Sequence, residues 1–319
     1  MIKVERLSKH YGLAKAVNDI SFEVADGENL VLLGTSGCGK TTTLKMLNRL
    51  IEPTSGQIWI NGQDIINQSP EILRRGIGYV LQNTGLFPHF TIAENIAVVP
   101  GLLKWDKKRI WSRTHELIQK LHLPNDVLQK YPQELSGGQQ QRIGLARALI
   151  ADAPVLLMDE PFGALDNITR AKIQEDFKTL DELQRKTIVM VTHDVQEAFE
   201  LGNQIAIMDQ GRIVQQGTPA ELLFKPANQF VSDFLQSQRL QLELRSVTLN
   251  TIGYDLPDAT EQDRGSTALK GDSSIWQAME VLKDAKRPMS VKLADDKIKA
   301  ISFAGLMAAY EGYQKRVKA

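Results

Sequence analysis

The first chemical signal in the chain is Gly34-Thr35-Ser36-Gly37-Cys38-Gly39-Lys40-Thr41, which fits G-x-x-x-x-G-K-[ST]. A chain of phosphates carries several negative charges and needs donors on several sides. Glycines allow the tight turns that aim successive backbone N–H groups at one anion. The apolar run Asn29 to Leu33 before the loop reads as a buried strand. Thr41 to Leu50 after it reads as a helix, with Leu44, Leu47 and Ile51 on one face. The N-terminus of that helix adds partial positive charge at the same point. Lys40 has the reach for β- and γ-phosphates, and the Thr41 hydroxyl is a hard ligand for Mg²⁺. Gly34 to Thr41, with Thr42 beside them, are therefore expected to bind a nucleoside triphosphate.

A second stretch, Val155-Leu156-Leu157-Met158-Asp159-Glu160, sets two carboxylates after four apolar residues. A buried parallel strand would deliver both to its C-terminal end, where open α/β sheets bind ligands. Asp159 is expected to hold Mg²⁺ through water, as a hard cation with oxygen ligands requires. Glu160 is then placed to orient or deprotonate an attacking water. A third stretch, Leu135-Ser136-Gly137-Gly138-Gln139, opens a helix expected over Gly138 to Ile150, with Ile143, Ala146, Arg147 and Ile150 at helical spacing. Ser136 is a good N-cap. A glycine-preceded helix start is itself an anion site, yet the chain already has a phosphate loop of its own.

These stretches, in this order, resemble the ATP-binding cassette family, and the likeness covers roughly residues 1 to 235. The resemblance implies an α/β fold. Its parts are a P-loop NTPase core, an antiparallel β subdomain, a helical subdomain at about 83–150 and a small C-terminal α+β domain. It makes Tyr11 the residue on which adenine stacks. Gln82, closing the run Ile77 to Leu81, becomes a glutamine that senses Mg²⁺ and water. Ser136, Gly137, Gly138 and Gln139 resemble the signature motif, and Gly163-Ala164-Leu165-Asp166 the D-loop, with Asp166 at the nucleotide. His193, after Ile188 to Val191, resembles the switch histidine that contacts the γ-phosphate. The family's answer to two anion sites in one chain is a head-to-tail homodimer, each ATP lying between the phosphate loop of one copy and the signature of the other.

Composition bounds the rest. The 319 residues suffice for one full domain and a smaller one. Lys plus Arg and Asp plus Glu number 38 each, so the net charge is zero, which argues against a nucleic-acid partner. Cys38 is the single cysteine, so no intrachain disulfide forms, as suits a reducing cytosol, and no His-centred constellation makes it a catalytic thiol. No N-terminal signal is read, and no apolar run approaches the roughly 18 residues that span a bilayer. The membrane path of a transporter would then belong to other chains. That places this one on the cytoplasmic face of the inner membrane, with two permease subunits and, through them, an extracytoplasmic substrate-binding protein. His10, His89, His115 and His122 show no ligand spacing, and Trp59, Trp105, Trp111 and Trp276 read as packing residues.

The coarse organisation follows. Val17, Ile20, Phe22 and Val24, with Ile58 and Ile60, suggest antiparallel strands. Trp111, Leu117, Ile118 and Leu121 suggest a helix. Leu86 to Ile92 is an apolar loop with two readings, a buried connection or part of a groove for a permease coupling helix. Asp209-Gln210-Gly211 is a hairpin turn, and Thr218-Pro219-Ala220-Glu221 a helix start. The cassette is expected to end near Leu235. Residues 236–245 are read as a linker, with a continuing helix as the alternative. In the tail, 246–319, Ser246 to Thr251 reads as a strand and Asp258 to Gly265 as a loop. Ile275 to Leu282 reads as a helix, Met289 to Leu293 and Lys299 to Phe303 as strands, and Gly305 to Tyr310 as a helix. That order resembles a single cystathionine-β-synthase (CBS) module whose partner would come from a second copy. The other reading is a small cap that aids dimerisation.

Asn48 to Thr54, Arg74 to Val80 and Gly85 to His89 resemble the quaternary-amine branch, the importers of glycine betaine, choline and proline. Importers of amino acids or polyamines share much of this pattern. Exporter motors, and cassettes acting without a membrane in DNA repair or translation, fit less well: the segments are importer-like, and neither a coiled-coil insertion nor a second cassette is present.

Overall fold

The computed structural model describes residues 1–163, 165–260, 269–285 and 287–318. The chain divides into two compact units, Met1–Asp194 with Leu201–Gln216, and Val195–Glu200 with Gly217–Ala319.

Two sheets organise the first unit. One contains β1 (Ile2–Tyr11), β2 (Ala14–Val24), β4 (Ser55–Ile60) and β5 (Gln63–Asp64) in the order β2-β1-β4-β5. Its register pairs Ile2 with Val24 and Ile60, and Val4 with Phe22 and Ile58. All of these side chains are buried, so a slip of one residue would turn the whole set to solvent. The other sheet contains β3 (Asn29–Gly34), β6 (Ile77–Val80), β7 (Val155–Asp159), β8 (Thr187–Thr192), β9 (Gln204–Asp209) and β10 (Arg212–Gly217), in the order β10-β9-β3-β8-β7-β6. The pairs from β9 across to β6 are parallel. Every residue of β7 and β8 is buried, which is why these strands read as unbroken apolar runs rather than alternating ones. The hairpin turn stands where expected, with Gln210 and Gly211 both at positive φ.

Between Gln82 and β7 the chain is helical: Ile92–Leu102, Lys107–Lys120 and Gly137–Leu149. Each start is fixed by a side-chain cap, from Thr91, Asp106 and Ser136 respectively. Leu117, Ile118 and Leu121 are buried as their spacing implies. Trp111 departs from its expected packing role. It is 64% exposed and stacks on His115, because neighbouring elements cover this helix only from Thr114 onward.

The second unit holds helices Pro219–Phe224, Gln229–Gln236, Arg239–Ser246, Leu249–Ile252, Ile275–Leu282 and Phe303–Lys318. Its three-stranded sheet is β11 (Leu269–Lys270), β12 (Met289–Lys292) and β13 (Ile298–Ile301), β12 pairing parallel to β11 and antiparallel to β13. The stretch read as a linker is helical from Arg239, with Leu242 and Leu244 buried. The strand expected over Ser246 to Thr251 does not form. Leu249 and Ile252, three apart and both fully buried, take helical phase instead. The expected loop at Asp258 to Gly265 lies outside the described residues from 261 onward. The β-α-β-β-α order is present, starting at Leu269 rather than at Ser246.

Candidate active site

Four parallel neighbours, β3, β8, β7 and β6, end at one edge of the sheet. The phosphate loop follows β3, His193 follows β8, Asp159 and Glu160 close β7, and Gln82 lies just past β6. The strand order thus collects residues more than a hundred positions apart into one row.

The loop's conformation depends on two glycines. Gly39 has φ 107°, and a Cβ there would lie 2.4 Å from the Ala16 carbonyl oxygen; at Gly34 it would lie 2.3 Å from that of Met208. Any side chain at either point would meet backbone. Lys40 is 5% exposed, and its Nζ donates to the carbonyls of Gly34 (2.7 Å) and Thr35 (2.9 Å). The ammonium is therefore held inside its own loop on neutral acceptors, which an anion outcompetes. Cys38 is buried and unpaired in any disulfide. Burial pushes its thiol up against the opposing pull of Lys40, so it stays protonated and unreactive.

Thr41 Oγ1 donates to Asp159 Oδ1 at 2.9 Å. Asp159 is almost wholly buried, and that burial, opposed by the Thr41 bond and reinforced by the Glu160 charge, raises its carboxyl above the usual range. Two hard oxygens side by side, one of them a desolvated carboxylate, fit a divalent cation that takes few protein ligands. Burial and the Asp159 charge also push the Tyr79 phenol up.

Glu160 occupies left-handed backbone, φ 45°, with its N–H donating to Val191 O at 2.9 Å. That conformation costs a residue of this type about 1–3 kcal/mol and aims the side chain across the strand ends. There its carboxylate accepts from Gln82 Nε2 at 3.0 Å on one oxygen and lies 3.2 Å from His193 Nδ1 on the other. The three residues expected to act on water thus meet at one carboxylate, through a hydrogen bond from Gln82 and a 3.2 Å ion-pair distance to His193. Tyr11 ends β1, is 53% exposed, and carries Lys9 Nζ 5.2 Å from its ring centroid. It pairs with Ala14, and the strand β2 then passes Gly39 at Ala16.

Ser136, Gly137, Gly138 and Gln139 are placed elsewhere. Ser136 Oγ accepts from Gln139 N (3.3 Å), and Ser136 N donates to Gln139 Oε1 (3.0 Å), a reciprocal capping box. The nearest neighbours of Gly138 are Thr169, Ile173 and Leu165; among the described residues, none of these contacts reaches the phosphate loop. Asp166 accepts from Thr169 N at 3.0 Å and starts the helix Asn167–Thr179, while Ala164 of the same motif lies outside the described residues.

Two roles were not read from the sequence. The guanidinium of Arg147, on the helix that Ser136 caps, donates to the carbonyls of Thr84 (2.6 Å) and Gly85 (2.7 Å), tying that helix to the loop after Gln82. Its signal was a cation on the otherwise apolar row Ile143, Ala146, Ile150. Asn95 is fully buried. It accepts from Phe87 N (2.7 Å) and donates to the carbonyls of Phe87, Phe90 and Thr91. Its signal was an amide between Ile92 and Ile96. The Leu86 to Ile92 loop is thus pinned from below, while Phe87, Pro88 and His89 are exposed and the rings of Phe87 and Phe90 lie 5.3 Å apart. A buried connection is not what the structure has here. Asn95→Ala would take from the Phe87 N–H and the Phe90 carbonyl their side-chain partner, while the Phe87 and Thr91 carbonyls keep backbone donors, and is expected to cost about 1–3 kcal/mol, read from chemical denaturation.

The sequence matches the ABC transporter family over residues 17–163. It is 48% identical over 298 residues to the glycine betaine/carnitine/choline transport ATP-binding protein OpuCA of Bacillus subtilis, covering 92% of this chain and 76% of that protein. It is 50% identical over 275 residues to the osmoprotectant import ATP-binding protein OsmV of Salmonella typhimurium, covering 84% and 72%. Among solved structures, the dimeric ATP-binding cassette MJ0796 in a post-hydrolysis state with ADP and Pi superposes with a TM-score of 0.62 at 31% identity, over 68% of this chain and 98% of that one.

Proposed function

Because the chain belongs to the ABC transporter ATP-binding family, we propose that it is the ATP-hydrolysing motor subunit of an importer for glycine betaine, choline or a related osmoprotectant. The observation that carries the solute class is the extent of the similarity: the 48% identity to a betaine, carnitine and choline transport protein runs over 92% of this chain, far beyond the phosphate loop.

In this reading the ring of Tyr11 stacks on adenine, and the amides of Gly34 to Thr42 surround the phosphates. Lys40 leaves its carbonyls for the β- and γ-phosphates. Thr41, Asp159 and Gln82 would hold Mg²⁺, which when bound offsets phosphate charge. Glu160 orients the attacking water and accepts its proton. Gln82 and His193 hold that carboxylate in place, and His193 keeps its other ring nitrogen for the γ-phosphate. The exposed helix start at Ser136, with Asp166, meets the nucleotide of a second copy, so the working state is a homodimer.

Among the described residues no helix is long and apolar enough to cross a membrane. The motor works at the cytoplasmic face beside two permease subunits, which receive solute from an extracytoplasmic binding protein. The exposed ring of Phe87, with the half-buried Phe90 beside it, suits a permease coupling helix. The tail, 246–319, pairs with its counterpart in the second copy as a CBS-like module or a dimerisation cap. Reconstitution in vesicles with its permease and binding protein tests the solute. ATP turnover is expected to rise with glycine betaine or choline. Stimulation by an amino acid or polyamine and by no quaternary amine would overturn the assignment.

A further inference from the structure

Tyr11 stands at the end of β1, where the chain turns through Gly12, at φ 59°, and the fully exposed Leu13 to reach Ala14, the partner of Tyr11 on β2. A phenol at such a tip is half uncovered and keeps its rotamer freedom unless a neighbour holds it. Among the described residues, the one cation or aromatic group against its ring is Lys9, whose Nζ lies 5.2 Å from the centroid. Lys9 is itself fixed, because its Nζ donates to the carbonyl of Glu52 at 2.7 Å. Two further bonds seat that segment on β1. Thr54 N donates to Ser8 O at 2.8 Å, and Thr54 Oγ1 accepts from His10 N at 3.0 Å. The Glu52 carboxylate accepts from Arg49 Nε (3.2 Å) and Nη2 (3.0 Å), while Arg49 Nη1 donates to the carbonyls of Ile65 and Gln68. Arg49 comes just after the helix Lys40–Leu47 that leaves the phosphate loop, and its N–H donates to Met46 O. The ammonium over Tyr11 thus belongs to the frame that carries Lys40, and all of these residues lie in the first compact unit.

We propose that Lys9 is a positioning residue for Tyr11: held on the Glu52 carbonyl, its ammonium fixes the ring by one face and leaves the opposite face to adenine. The face of an aromatic ring is the negative end of its quadrupole, so a cation is drawn onto it and opposes rotation of the ring away. The free face is then presented before the nucleotide arrives, and stacking does not first have to order the side chain. The ammonium is engaged by a carbonyl and a ring, so its effect falls on the base and not on the phosphates. Adenine is unchanged during hydrolysis, so what Lys9 contributes is equal in the ground state and the transition state. It therefore appears in KM and not in kcat. The inference rests on the reading of Tyr11 as the adenine platform.

The test uses the full-length chain. Lys9→Met keeps the aliphatic stem and loses the charge. It is expected to raise KM for ATP about two- to fivefold, with kcat changed less than about twofold. Inorganic tripolyphosphate, which has no base, is expected to inhibit the variant and the parent at the same concentration. Lys9→Arg, whose guanidinium reaches the same carbonyl and ring, is expected to restore the parental KM. Tyr11→Ala, run alongside, is expected to raise KM about tenfold, and adding Lys9→Met to it is expected to change KM no further. A Lys9→Met chain with the parental KM would overturn the proposal. So would a further rise in KM on the Tyr11→Ala background, or weaker inhibition of Lys9→Met by tripolyphosphate, since either result puts the charge on the phosphates. The two levels separate cleanly. A parental KM in Tyr11→Ala removes the adenine reading itself, whereas a raised KM in Tyr11→Ala beside a parental KM in Lys9→Met removes only the role of Lys9.

Discussion

Glu160→Gln is expected to bind ATP as the parent chain does, to lose turnover by about a thousandfold, and to accumulate as a nucleotide-bound dimer. The substitution is nearly isosteric. It keeps the backbone at φ 45° and the hydrogen bond to Val191, so the strand end is not disturbed. What changes is the chemistry of two atoms. The carboxylate now accepts from Gln82 on one oxygen and faces His193 Nδ1 on the other. A carboxamide has one acceptor and one donor, so either Gln82 or His193 meets an N–H in place of an oxygen, and no basic site remains for the proton of the attacking water. Lys40, Thr41 and Asp159 are untouched, so phosphate affinity stays. With the opening step of the cycle dependent on hydrolysis, the closed dimer persists. Phosphate release in the steady state and size-exclusion chromatography with ATP read the two effects, and near-normal phosphate release would remove Glu160 from the chemical step.

The strand ends that carry that trio were legible because apolar runs mark them, while the roles of Gln82 and His193 came from resemblance to the family. Val155 to Met158 and Ile188 to Val191 are strands buried on both faces, and such strands announce both themselves and their ends. The helix starts at Ser136 and Thr218 were legible for a related reason, since capping is local chemistry over four residues. The parts that escaped act across long separations. Arg147 holds carbonyls more than sixty positions away, and Arg245 meets a carboxylate forty-five positions earlier. An arginine gives no local sign of which distant acceptor it will find. Ser246 to Thr251 failed differently. Alternating polar and apolar residues over so short a stretch fit period two, but Leu249 and Ile252 satisfy a helical turn equally well, and burial of both decided for the helix. Leu86 to Ile92 left two readings open, a buried connection or part of a groove, because an apolar composition fits either; the exposure of Phe87 to His89 rules out the first, and the buried partner is the amide of Asn95 beneath.

Ser136→Arg is expected to reduce hydrolysis at least a hundredfold while each chain still binds ATP at its own phosphate loop. Ser136 is exposed, its capping box is complete within 136–139, and the neighbours of Gly138 in the same helix start are Thr169 and Ile173 rather than the nucleotide loop of the same chain. The free N–H groups and partial positive charge of that helix start therefore face outward, available to the γ-phosphate held by a second copy. An arginine there fills the space the phosphate needs. It also removes the cap, at a cost of about 1 kcal/mol. Ser136→Ala, which removes the cap without adding bulk, measures that contribution separately and is expected to retain far more activity. Two inactive chains then provide the decisive mixture. A Ser136→Arg chain has an intact phosphate loop and a blocked helix start; a Lys40→Ala chain has the reverse. In a mixed dimer one site combines both intact halves and the other both damaged ones. If the sites are composite and each can fire alone, random mixing restores up to about a quarter of the parental activity from two inert preparations, since half the dimers are mixed and each has one working site of two. Recovery that vanishes on dilution below the dimerisation constant marks the shared site, whereas full activity of Ser136→Arg by itself would show that each chain completes its own.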